Sequence, residues 1–451
     1  MIRNLSLALG LVLSTSLNAL AQDSGVKLTP DVPAEVAPRT QAAFDGFGWK
    51  EFVALNWPAN ADGTPSKDFK IGENDGAGRV WQSWMGPGAI LLPDGSKPTW
   101  APGDGLTAFQ LTKAAEDIQT QFVDALHFPI VDQERNFVVM GLGMNKVMFD
   151  YIVQNNLYNR EGQRSDPKGN PLPVNQEKFV DFPAGSIEFK TAWRVFPENP
   201  SPADLELMKR YFISKSVVRI AAKNSEDGKE QKITVNLGLV GMHITQKTPG
   251  NPQWVWSTFE QVDNLEPPER DRGKIKPTFQ DPSKPSQDPI LTPVPKGGTP
   301  NTADPTKPYM EPYIWALTAP YAVPNARIPT QVHRVTPIQE TTGVNKKWQE
   351  ALKAVNADSR WQYYQQISTQ WPTKPYARKP GEKPKFSPPA GGLSTATYEG
   401  APTPKILANV PMEVYNQKTS SCIVCHSKAF TTNGDYGDFS YVLQLAKPKK
   451  R

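Results

Sequence analysis

In "SIEFKTAWRVF" the apolar residues Ile187, Phe189, Trp193 and Val195 alternate with Glu188, Lys190 and Arg194. Period two with one charged side predicts a half-exposed β-strand. "QKITVNLGLVGMHITQK" repeats that period through Ile233, Val235, Leu237 and Leu239, and carrying it on sets Gly241 and His243 on the same inward face. "TPGNP", Thr248 to Pro252, is dense turn chemistry, and "QWVWSTFEQVDN" returns as a second strand of a hairpin. A turn centred on Pro249-Gly250 puts His243 opposite Trp256, with Trp254, Thr258 and Glu260 on the same face. A one-residue slip would undo that pairing.

Helical spacing appears on either side of this β region. "TQAAFDGFGWKEFVALNWP" reads as a helix stopped by Pro58, and "QETTGVNKKWQEALKAV" as another. "GRVWQSWMG" is a short aromatic turn or helix. "NFVVMGLGMNKVMFDYIVQNN" reads as a helix with Met140, Met144 and Met148 four apart on a core-packing face. "DFSYVLQLA" closes the chain as a short amphipathic helix, and "RWQYYQQISTQWP" is an aromatic run of unassigned structure. Two stretches, Glu266 to Pro308 and Trp371 to Gly392, are Pro-rich and lack hydrophobic period, which predicts long surface excursions. The fold expected is α+β: an antiparallel β core with flanking helices and long Pro-rich loops, plus a small helical C-terminal segment.

Composition sharpens this outline. The chain has 451 residues, of which 45 are Pro, enough to argue against a long-helix bundle. Residues 1–21 read as an export signal: Arg3, then the apolar run Leu5 to Leu13, then the small-residue site Ala19 to Ala21. That run is too short to span a bilayer, which takes about 20 apolar residues. The expected product is soluble and periplasmic, with a large domain over residues 22–400 and a C-terminal segment over 401–451. Of 50 Lys and Arg, the leader holds one, leaving 49 against 45 Asp and Glu, a net charge of +4. So mild a charge gives no reason to expect a nucleic-acid partner.

The two cysteines of the chain, and one of its four histidines, fall together in "SSCIVCHSKAF". C-x-x-C-H is the attachment motif of c-type haem: the thiols of Cys422 and Cys425 form thioethers with the vinyl groups, and His426 lies under the iron. Covalent attachment takes place in exported compartments, in keeping with the leader. A thioredoxin-like pair normally opens a helix after a strand, and too little chain follows here to complete that fold. A structural zinc site needs four ligands, and no second pair exists.

Through "CIVCH" the chain resembles the c-type cytochromes. Through "FVALNWPA", "WVWSTFEQVDN" and "SSCIVCH" it resembles a group of large exported monohaem cytochrome c family proteins of Gram-negative bacteria. The resemblance implies one covalent haem c on Cys422, Cys425 and His426 and a redox role. It departs from small cytochromes c in that the segment after the motif holds no Met and no His, so the sixth iron ligand comes from upstream or the position is open. His243 and Met412 are the candidate distal ligands, followed by His127 and His333. His243 and Glu260, on a Trp-rich strand face, are the candidate catalytic acid–base groups. Electron transfer to a redox partner protein is the first expectation. A haem-dependent oxidoreductase, peroxidase- or oxygenase-like, acting on a small-molecule substrate at an open distal site, is the second. A haem-based sensing module is the third.

Overall fold

The computed structural model describes residues 25–74, 76–101, 130–265, 267–283, 290–291, 314–322, 329, 331–382, 400–414 and 417–450. The expected leader at residues 1–21, His127, and much of both Pro-rich stretches lie outside the described residues.

The elements are, in order, α1 (Gln41–Leu55), α2 (Pro87–Ile90), β1 (Val139–Met144), α3 (Lys146–Gln154), β2 (Ile187–Pro197), α4 (Pro202–Met208), β3 (Ile213–Ile220), β4 (Gln231–Thr248) and β5 (Asn251–Gln261). There follow β6 (Ile290–Leu291), β7 (Gln331–Val332), α5 (Val344–Val355), β8 (Tyr364–Pro372), β9 (Pro402–Thr403) and α6 (Cys422–His426). Seven strands form one sheet in the order β1-β2-β4-β5-β8-β9, with β3 also on β4. Its pairings are antiparallel. The fold is α+β, as the alternating and helical patterns predict. No helix among the described residues is long and apolar enough to cross a membrane.

Helix α1 starts where Thr40 caps it, its side chain accepting from the Ala43 amide. It lies on one face of the sheet, with Trp49 and Phe52 against Phe259 of β5 at 5.0 and 4.3 Å between ring centres. Trp348 of α5 stacks on Trp49. Gly48 permits this approach, because a Cβ there would collide with Gln366, Ser257 and Thr369 of the strands below.

β4 departs from strict alternation. Trp193 pairs with Leu239 but Ala192 with Gly241, so Val240 is an extra, bulged residue. The bulge inverts the sides beyond it. Leu237 and Leu239, then Met242 and Ile244, line the α1 core. Gly241 and His243 therefore face away from Leu237 and Leu239, which corrects the expectation of one continuous inward face. The hairpin forms, but β5 carries extra residues at its start, where Trp254 takes φ 63. As a result His243 pairs with Thr258, and Trp256 with Thr245. The displacement is two residues, so His243, Trp256, Thr258 and Glu260 still share a side.

Two other elements differ from expectation. Val139–Met144 is a strand, and α3 starts only after Asn145, whose side chain caps it through the Met148 amide. A four-residue spacing of Met fits period two as well as 3.6, and the pairing of Gly143 with Phe189 of β2 decides for the strand. The ring of Phe189 lies where a Cβ on Gly143 would be. All three Met side chains are buried, so their packing role stands. The charged side of β2 is covered rather than solvated: Glu188 and Arg194 are buried. What covers the sheet here is α3 and the C-terminal segment, whose Ile423, Phe439, Val442 and Leu443 join Met148, Trp254 and Trp256 in a second core. The closing amphipathic element is a 3-10 turn over Tyr441–Leu445, and the aromatic run ends as β8.

Candidate functional site

The motif occupies α6, a single five-residue turn. Residues three apart on a helix share a side, so Cys422 and Cys425 present their sulfurs together. Both are free thiols. The turn is seated by Gln370, fully buried on β8, whose side-chain oxygen accepts from the Ile423 amide at 2.9 Å and from the Ser421 hydroxyl at 3.2 Å. The Gln370 amide in turn donates to the Pro404 carbonyl. An orphan amide of the first helical turn is thereby satisfied inside the protein.

His426 is held through one ring nitrogen. Its Nδ1 lies 2.8 Å from the Phe439 carbonyl oxygen. A carbonyl only accepts, so Nδ1 carries the proton and Nε2 keeps its lone pair free for a ligand role. Trp256 packs against the imidazole with ring centres 4.4 Å apart, and Tyr441 approaches its edge. Burial lowers the His426 pKa to about 4, against the Phe439 hydrogen bond, and Lys190 and His243 push it the same way. The ring is neutral at ordinary pH.

The carbonyl that orients His426 is itself fixed. Asp438 and Phe439 both take left-handed backbone, at φ 48 and 67. Such residues cost about 1–3 kcal/mol each and persist where surroundings hold them. Here Asp438 accepts from Lys247 at 2.7 Å and from the Phe182 amide at 2.7 Å, and the Ser440 hydroxyl donates to Glu188 at 2.7 Å.

Burial, followed by the negative charge of Glu413, pushes the Cys422 thiol well above its ordinary value and the Cys425 thiol up as well. A dithiol built for exchange has the opposite electrostatics, because its nucleophile is the thiolate. The pair is set up as neutral thiols.

His243, on the face that also carries Trp256, is brought near the motif. Its Nε2 lies 3.0 Å from a Glu413 oxygen, and the other Glu413 oxygen accepts from the Asn409 amide at 2.8 Å. Glu413 is held below its ordinary value by His243 and, to a lesser degree, Lys190, against its burial. Met412 is not directed to the motif: it is fully buried with Val240, Val410 and Val414, in a different cluster from Ile423 and Cys422. Glu260 is tied into an ion pair with Arg334 at 2.6 Å and accepts from the Val410 amide at 2.7 Å. His333 shares a hydrogen bond with Gln280.

One further feature concerns exposure. Along the middles of β1, β2 and β4 the residues are buried except Leu142, Lys190 and His243. These three are direct neighbours, Leu142 paired with Lys190 and Lys190 with His243. They form a half-exposed row across the covered face, on the side occupied by Glu413. Sequence reasoning missed Glu413, Lys190, Gln370 and the Phe439 carbonyl. Lys190 was visible only as one charge in an alternating strand, and the carbonyl carries no residue-type signal at all.

Among the described residues no group of three or more His, Cys, Asp and Glu side chains is arranged to hold a metal ion. Compared with protein-family models, curated proteins and solved structures, the chain matches none of them.

Proposed function

We propose that the protein is a periplasmic c-type cytochrome that binds one covalent haem c through Cys422, Cys425 and His426 and serves in electron transfer. The observation that carries this reading is the His426 Nδ1 hydrogen bond to Phe439, on the same helical turn as two free, neutral thiols. The donor set fits the group: two sulfurs on one side of a turn for the thioethers, and a neutral imidazole with its outer nitrogen free. When bound, the haem supplies a one-electron couple. The chain's own part is to orient the imidazole through Phe439, wall it with Trp256 and anchor the turn through Gln370. The N-terminal export pattern supports a compartment in which such attachment occurs.

The half-exposed row of Leu142, Lys190 and His243 favours a second reading, a haem-dependent oxidoreductase acting on a small molecule. Expression in a host competent for c-type maturation tests both. Intact mass should show one haem added, lost in Cys422→Ser with Cys425→Ser; a chain that matures without added mass overturns the proposal. CO added to the ferrous protein then separates the readings. An unchanged spectrum supports the carrier, and a CO adduct supports the oxidoreductase.

A further inference from the structure

Three buried carboxylates around the sheet meet a cation: Glu260 meets Arg334 at 2.6 Å, Asp263 meets Arg210 at 2.6 Å, and Asp438 meets Lys247 at 2.7 Å. Glu188 meets a hydroxyl instead. It is 7 % exposed on β2, and its carboxylate accepts from Ser440 at 2.7 Å. Among the described residues it forms no ion pair, and burial raises its pKa to about 7 against that hydrogen bond. Register places it in one row with residues that hold the attachment turn. Glu188 pairs with Thr245, Thr245 with Trp256 and Trp256 with Gln370, so the four share one side of the sheet. Trp256 packs on the His426 ring at 4.4 Å between ring centres, and Gln370 takes the Ile423 amide at 2.9 Å. A second route is more direct. Ser440 follows Phe439, whose carbonyl accepts from His426 Nδ1 at 2.8 Å. One peptide unit and two hydrogen bonds thus join Glu188 to the imidazole. Thr245, directly opposite, has a buried hydroxyl with no hydrogen bond among the described residues. A hydroxyl donates to a carboxylate and accepts from a carboxyl, and opposite Cβ atoms lie about 4.5–5.5 Å apart. The other titratable groups of this side are engaged or set apart. Lys190 lies two residues along the same strand, His243 pairs with Glu413, Lys247 with Asp438, and Tyr441 donates to the Cys425 carbonyl. Lys146 and Asp150 of α3 pair with each other at the surface.

We propose that Glu188 is the proton-binding group linked to electron transfer at this site: it takes up one proton from solvent as the site gains one electron, and releases it as the electron leaves. This rests on haem attachment at Cys422, Cys425 and His426. The electron comes from a one-electron donor protein and passes to an acceptor protein, so one proton and one electron enter and leave together. The cause is electrostatic. An added electron removes one positive charge from the neighbourhood of the carboxylate, and the ionised form loses that support. Buried and without a cation of its own, the carboxylate is poorly screened from the change. The Ser440 and Thr245 hydroxyls serve both protonation states, so the proton comes and goes without a rearrangement of the strand.

The test is a redox titration of the matured holoprotein from about pH 5 to about pH 9, a range that brackets a carboxyl titrating near neutrality. The wild-type midpoint potential is expected to fall as pH rises, with a limiting slope of one proton per electron. Glu188→Gln, which still accepts from Ser440 and cannot ionise, is expected to lose that slope. Ser440→Ala keeps the carboxyl and removes the hydrogen bond that favours its charged form, so the sloping range should move to higher pH. This second variant decides the matter should Glu188→Gln fail to accumulate. A loaded Glu188→Gln protein that keeps the wild-type slope assigns the proton to another group, such as the His243 imidazole or a haem carboxylate, and overturns this proposal alone. A loaded wild-type protein whose potential does not change with pH overturns it too, as does a Ser440→Ala protein whose sloping range stays in place. A wild-type chain without covalent haem overturns the reading beneath it, and the proposal with it.

Discussion

On one face of the sheet, helices α1 and α5 lay Trp49, Phe52 and Trp348 over Phe259, Leu239 and Met242, an aromatic and apolar centre bordered by buried polar ties, the Thr369 amide to Asp45 at 3.1 Å and the Ser257 hydroxyl to Glu51 at 3.0 Å. On the other face the cover is a short helix, turns and the chain's last residues, fastened by polar contacts: Gln370 to Ile423, Glu188 to Ser440, His243 to Glu413 and Lys247 to Asp438. The apolar centre of the first face is insensitive to direction, since burial of apolar area is proportional to area alone. The second fixes the position of particular atoms, above all the Phe439 carbonyl that accepts from His426 Nδ1. On the reading proposed above, a chain that holds a prosthetic group in one orientation gains from concentrating the directional contacts on one face. Both faces bury apolar side chains, but the polar ties that fix the His426 ring lie on the loop face alone.

Substitutions can test that separation. Phe259→Ala empties the centre of the helical face and should cost about 3–5 kcal/mol of stability, the range for a buried aromatic. Its folded fraction should nevertheless attach haem and hold a wild-type midpoint potential. A shifted potential in Phe259→Ala would mean that the faces are coupled. Lys247→Met acts on the other side. It leaves Asp438 buried without its cation, and removing one partner of a buried pair costs 3–5 kcal/mol in general. The lower end, about 3 kcal/mol, is expected because the second partner, Asp181, is exposed and gains water. Unlike Phe259→Ala, this variant should also release the left-handed Asp438–Phe439 backbone and shift the midpoint potential of the loaded protein. Chemical denaturation paired with a redox titration checks both variants.

How much of this was legible beforehand follows from the range of the forces involved. The strands β2, β4 and β5 are readable because their apolar alternation is local, and α1 and α5 because their apolar spacing is local too. β1 was not, since Met140, Met144 and Met148 satisfy two periods at once, and only the pairing of Gly143 with Phe189 decides between them. The Val240 bulge is a mismatch between two strands and belongs to neither sequence alone, so the side on which His243 lies could not be read from alternation. "CIVCH" is a local motif and stood out for that reason. Its supports did not. Gln370 and Lys247 lie in other strands, and the atom that orients His426 is a backbone oxygen that any residue could offer. Glu260 looked reactive on a Trp-rich strand because its partner, Arg334, lies far along the chain.

The smallest effect concerns Glu188, on the polar face. Its burial raises its pKa from 4.5 to about 7, against the Ser440 hydrogen bond. The folded state therefore keeps a proton that the unfolded chain releases above 4.5, and wherever the folded state binds more protons, stability falls as pH rises. The stability associated with protonated Glu188 is present below about 4.5 and is lost as pH climbs through about 7. Between pH 5 and 7.5 the wild type should lose about 2 kcal/mol through this group, at 1.36 kcal/mol per pKa unit. Glu188→Gln still accepts from Ser440 and cannot ionise, so its stability should decline less over that window. Asp132, raised to about 6 by burial, titrates in the same range beneath the other end of β2 and is present in both proteins. The quantity to measure is thus the difference between wild type and variant in urea midpoints at several pH values. A difference that grows with pH in favour of Glu188→Gln locates a proton under the Ser440 loop. A flat difference means that Glu188 is ionised in the folded protein, and that the polar face meets its charge in some way other than protonation.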